Sequence, residues 1–91
     1  MWETADPEGR RVVLTAERWL HILEDHEEIA ADLHAILDGL STADRRRAGR
    51  WASEEWFYVA GPGPSRYVKV VVHYEHGEGR VITAFPRRAF P

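Results

Sequence analysis

Ninety-one residues with no cysteine exclude a disulfide scaffold and any thiolate-ligated zinc or iron–sulfur centre. A formal net charge of −3 argues against a protein that coats nucleic acid by bulk charge. A chain of this length has room for one core, burying roughly 60 to 65% of its unfolded surface, so residues 1–91 are expected to form a single domain with 1–10 as a polar tail.

The charge is unevenly placed. Residues 1–44 carry three arginines against eleven carboxylates, a net −8, whereas 45–91 carry nine basic residues against four acidic ones, a net +5. The basic half suits a polyanion, although an acidic helical layer lying on a basic sheet would give the same split. Eleven of the twelve basic residues are arginine, which leaves Lys69 as the single lysine. The acidic start, Met1 to Asp6, lacks the basic and apolar stretches of a signal peptide. No apolar run reaches membrane-spanning length. A soluble, cytoplasmic protein with no membrane partner is therefore expected.

In chain order, Arg11 to Thr15 reads as a short strand, with Thr15 as N-cap of a helix over about 16–24 whose apolar face holds Trp19, Ile22 and Leu23. Asp25 and Glu28 have capping-box spacing, which predicts that a second helix starts there and ends near Gly39. Ile29, Leu33, Ile36, Leu37 and Leu40 recur at helical spacing and form its buried stripe, with His34 at its border. Ser41 to Arg50, including Arg45-Arg46-Arg47, reads as a surface connection. Trp51 to Ala60 and Arg66 to Tyr74 have strand character and flank a turn at Gly61 to Ser65. A second turn at His76 to Gly79 leads into a strand over Arg80 to Phe85, ended by Pro86. Strand, two helices and three strands pack most simply as an α+β fold of two layers, a mostly antiparallel sheet of about four strands with two helices on one face.

Alternation along the strand puts Val68, Val70, Val72 and Tyr74 toward the core and Tyr67, Lys69, Val71 and His73 on the outer face. A fixed ammonium there would stabilise the charge of a phosphorane, though an open sheet face needs polar residues anyway. On the first helix His21 lies away from the apolar stripe, one turn from Arg18, so an imidazole able to exchange protons near neutral pH stands beside a phosphate-binding guanidinium. An ordinary solvent-facing histidine has the same pattern. Trp51, Trp56, Tyr58 and Tyr67 interleave with arginines as base-stacking platforms do, or serve the core. His73 and His76 do not make a metal-ligand motif, and His21 and His26 do not share a helix face. No metal is expected. Ser41, Ser53 and Ser65 lie outside any nucleophile-elbow sequence.

The ordered set Arg18-Trp19-Leu20-His21-Ile22, His26-Glu27-Glu28, Arg66-Tyr67-Val68-Lys69-Val70-Val71-Val72 and Ile82-Thr83-Ala84-Phe85 resembles the phage-associated branch of the barnase/EndoU/colicin/RelE-like (BECR) nucleases. That branch runs R-W-x-H-I, H-P-E, Y-x-K-V-V-V and I-T-A-F, and the match spans Val13 to Phe85. Glu27 departs from it where the pattern often has proline. The resemblance implies a cofactor-free, metal-independent endoribonuclease of toxin type, acting on tRNA or mRNA to leave a 2′,3′-cyclic phosphate, with an inhibitor protein as a plausible partner. On that basis His21 is the expected general base or acid, Arg18 and Lys69 stabilise phosphorane charge, Thr83 bonds a phosphate oxygen, and Tyr67 or His26 positions substrate or assists proton transfer. Arg50, Tyr58, Arg66, Arg87 and Arg88 are the expected substrate-binding residues. An inactive nuclease-like module that binds RNA or protein, or a structural interaction domain, would use the same surface.

Overall fold

A computed structural model of the chain describes residues 1–62 and 64–90. Its elements are β1 (Trp2–Ala5), β2 (Arg11–Leu14), α1 (Ala16–Asp25), a 3₁₀ helix (Glu27–Asp32), α2 (Leu33–Leu40), β3 (Arg46–Ala48), β4 (Glu54–Ala60), β5 (Tyr67–Glu75) and β6 (Glu78–Arg87). The strands form one sheet in the order β1-β2-β6-β5-β4-β3, in which β2 and β6 run parallel and every other pair is antiparallel. The α+β class is as expected. The sheet has six strands rather than about four and is mixed rather than uniformly antiparallel.

The two additional strands lie at its edges. Residues 2–5, expected within a polar tail, pair with β2 because Trp2 packs against the core and the Thr4 hydroxyl donates to the Leu37 carbonyl at 2.8 Å. Arg46–Ala48, expected in a connection, pairs with β4. Its arginines alternate sides: Arg46 reaches Glu55 on the helical side, and Arg47 stands opposite Trp56 on the other.

Thr15 caps α1 as expected, its side chain accepting from the Arg18 amide at 3.1 Å. The capping box at Asp25 does not form. Asp25 is the last residue of α1, and the amide of His26 donates to the Ile22 carbonyl, so Asp25 is inside a helix rather than at the extended position a cap needs. A 3₁₀ helix follows, and α2 begins only at Leu33. The predicted stripes are nevertheless the buried ones: Trp19 and Ile22 from α1, then Ile29, Ile36, Leu37 and Leu40, pack with Val12, Leu14, Phe57, Val59, Val68, Val70, Val72, Val81 and Ala84. Leu23 and Leu33 lie at the margin of that cluster, and His34 is exposed.

Two turns join the last three strands. Gly61 has φ +102° at the end of β4; the expected turn there includes Gly63, which lies outside the described residues. At the β5–β6 hairpin both central residues, His76 and Gly77, have positive φ (54° and 78°), the combination a two-residue type I′ turn requires. Pro86 does not end β6. It pairs with Val68, and the parallel ladder with β2 reaches only Val13 and Arg80, so among the described residues no strand on that flank needs the amide that proline lacks.

At one end of the helix-side face a polar cluster replaces apolar packing. The buried Asp6 carboxylate accepts from the amides of Glu8 and Arg10, from the Arg10 guanidinium and, at 2.7 Å, from the Tyr74 hydroxyl. Arg10 lies 3.8 Å from the Tyr74 ring centroid and bridges on to Glu55, which also binds Arg46. This cluster ties the β1–β2 connection to β4 and β5.

Candidate nucleic-acid interface

The sheet face opposite the helices is built in cross-strand rows. Register places Tyr58 beside Lys69 and Lys69 beside Phe85, and one row away Arg47 beside Trp56, Trp56 beside Val71 and Val71 beside Thr83. Tyr67 and Arg87 pair in the next row. Arg45 extends the first row, since its carbonyl accepts from the Tyr58 amide at 2.9 Å. One face therefore collects Lys69, Thr83, Tyr67, Tyr58 and Arg87 from the predicted set, and adds Trp56, Phe85, Arg45 and Arg47.

Lys69 is not the exposed, solubilising lysine that an open face would hold. It is only 9% exposed, and its ammonium lies 3.4 Å from the Trp56 ring centroid and 5.4 Å from that of Phe85. Burial, with the charge of Arg87 adding to it, lowers its pKa below the ordinary lysine value against a smaller opposing pull from Glu54. Tyr58 is 2% exposed, with the Tyr67 and Phe90 rings edge-on at 6.4 and 5.0 Å.

The two predicted imidazoles separate. His26, just past the end of α1, stacks on Phe85 with ring centroids 5.6 Å apart, and its Nδ1 lies 3.3 Å from Glu28. His21 is exposed and 3.6 Å from Glu24. It lines, with Arg18, a separate groove of about 820 Å³ whose other walls include Arg11, Val13, Glu24 and Arg80. Neither Lys69 nor Thr83 borders that groove. The rest of the expected contact set is peripheral: Arg50 is exposed in the β3–β4 connection with its amide bonded to Glu54, while Arg66 and Arg88 are exposed just outside β5 and β6. No group of histidines and carboxylates among the described residues is arranged to hold a metal ion.

Arg45 and Arg47 were hidden by their polar context. An alternating Arg-x-Arg opposite aromatic residues is a strand signal, but three residues are too few to establish a period. Phe90 follows Pro86, Arg87, Arg88 and Ala89, and no pattern assigns it a partner. No helix among the described residues is long and apolar enough to cross a membrane. No family model, curated protein or solved structure matches the chain.

Proposed function

We propose that the chain is a metal-independent endoribonuclease whose reacting phosphate lies on the outer sheet face at Lys69. The observation that carries this assignment is the single lysine, held on a sheet face among aromatic rings and arginines, with an imidazole on the neighbouring ring. In this scheme His26 takes the proton of the RNA 2′-hydroxyl as its oxygen attacks phosphorus. The bond to the 5′-oxygen breaks, Lys69 delivers a proton to that oxygen, and the products are a 2′,3′-cyclic phosphate and a 5′-hydroxyl. The lowered proton affinity of Lys69 suits a donor, and before transfer its charge, with that of Arg87, stabilises the phosphorane. Thr83 offers a hydroxyl to a phosphate oxygen, and Trp56 and Tyr67 offer faces for bases. Arg18 and His21 then serve the flanking strand rather than the reacting bond. RNA as substrate and a protein inhibitor as partner belong to the same proposal.

A second assignment, an RNA-binding module without turnover, draws on the position of Trp56, whose ring covers the ammonium. One experiment separates them. Purified protein is incubated with tRNA and mRNA in EDTA and the fragment ends are analysed. Cyclic phosphate ends that vanish in Lys69→Met and His26→Ala support the enzyme; retention of RNA with no fragments supports the binder and overturns the enzyme.

A further inference from the structure

We propose that Phe90 occupies a nucleobase slot formed by Tyr58, Arg45 and Arg47, so that the segment after β6 blocks the RNA path beside Lys69. This rests on the assignment of RNA as ligand. Tyr58 lies on the sheet face opposite the helices, yet it is 2% exposed, and Phe90 supplies part of its cover with its ring edge-on at 5.0 Å. The guanidinium carbons of Arg45 and Arg47 stand 5.7 and 5.8 Å from the Phe90 ring centroid. A planar π-system thus meets a phenol edge-on and lies under two cations, an environment that a base, whose face guanidinium groups can cover, would also fill.

A phenyl ring leaves part of that environment unused. Neither Arg45 nor Arg47 makes a side-chain hydrogen bond or ion pair among the described residues, whereas a base carries carbonyl and ring-nitrogen acceptors that a guanidinium can bond. Position favours a base as well. Tyr58 and Lys69 are directly paired on adjacent strands, about 5 Å apart, so a base over Tyr58 leaves its own phosphate near the ammonium. Phe90 lies three residues beyond the end of β6, which lets it leave the slot without unpairing the sheet.

The test compares wild type with Phe90→Ala for binding of a single-stranded oligonucleotide with 2′-O-methyl riboses, which this chemistry cannot cleave. Opening the slot is expected to tighten binding about 5- to 10-fold, the lower part of the range for stacking one base. Adding Arg45→Ala and Arg47→Ala should remove the gain, and Phe90→Trp should weaken binding. Thermal unfolding of each variant confirms that folded proteins are compared. Unchanged or weaker binding by folded Phe90→Ala overturns the slot, and if the unmodified RNA is still cleaved the nuclease assignment stands. Tighter binding with no cleavage by either protein keeps the slot and overturns the nuclease. Failure of both proteins to bind overturns both.

Discussion

His26 and Lys69 approach the same phenyl ring: the imidazole stacks on Phe85 at 5.6 Å and the ammonium lies 5.4 Å from its centroid. The ring belongs to β6, His26 follows α1 and Lys69 stands on β5, so the end of the first helix and the β5–β6 hairpin, distant in sequence, meet at one side chain. Phe85→Ala should therefore loosen both groups at once. Cleavage is expected to fall at least 10-fold, about the effect of misplacing catalytic groups by an ångström or less, while Phe85→Leu, which keeps much of the bulk, should fall less. Single-turnover cleavage of one RNA substrate measures both. Equal activity in Phe85→Ala and wild type would show that the ring positions nothing.

The two histidines should behave differently. His26→Ala is expected to lower kcat by 10²-fold or more, in the range of a lost proton-transfer group, with binding of uncleavable RNA changed little. His21→Ala, altering a groove that excludes Lys69, should leave kcat within a few-fold of wild type and act on affinity. If His21→Ala alone silences cleavage, the chemistry belongs to the Arg18–His21 groove instead.

Lys69 is expected to cost stability. Its ammonium is buried without a carboxylate partner among the described residues, and an apolar residue of similar length avoids that desolvation, so Lys69→Met should stabilise the fold by on the order of 1 kcal/mol while removing cleavage. The pH dependence follows from the lowered pKa. Because the folded protein releases this proton at lower pH than the unfolded chain does, the destabilisation is full below the folded pKa and fades as pH rises toward the ordinary lysine value. Wild type should gain on Lys69→Met across that alkaline window in urea titrations. Cleavage should decline over the same window as the donor proton is lost.

The Asp6 cluster sets an acid limit. Burial on its own would raise the carboxyl pKa, but the Tyr74 hydroxyl, the amides of Arg10 and Glu8 and the Arg10 guanidinium outweigh it, and the value falls below that of an ordinary aspartate. The resulting stability is present at neutral pH and is lost as pH falls through the ordinary aspartate value toward the lowered one. Tyr74→Phe should cost about 1 to 2 kcal/mol at pH 7. It should also shrink the acid-dependent loss, which stability curves from pH 7 to 3 would reveal.

What the sequence carried most clearly was periodicity. The stripes at Trp19 and Ile22 and at Ile36, Leu37 and Leu40 are buried, and the alternation that turns Val68, Val70 and Val72 inward turns Lys69 outward. It could not show that Trp56 would cover Lys69, because that needs the β4–β5 register across a connection whose length fixes no pairing. Nor could helical spacing separate His21 from His26 by position: the difference is that α1 contacts β6, and of the two it is the second histidine that stacks on Phe85. The edge strands escaped because Trp2–Ala5 and Arg46–Ala48 are four and three residues long, and tertiary partners rather than local preference hold them extended.

Gly39 also has a role that helix spacing alone does not reveal. It lies in α2 over β4, and a Cβ at this position would overlap Val59 Cγ1, inside the core. Alanine favours a helix by about 1 kcal/mol over glycine, but a methyl group forced into packed side chains costs about 1 to 3 kcal/mol, and here the valine it meets is 2% exposed and enclosed by the core. Gly39→Ala should therefore destabilise. Val59→Ala vacates the space the methyl needs, so the double variant should be more stable than the sum of the two single effects. Urea denaturation of the four proteins in that cycle measures the coupling. A Gly39→Ala protein more stable than wild type would mean that α2 can lift from the sheet at little cost, and the close approach would then not fix the distance between the layers.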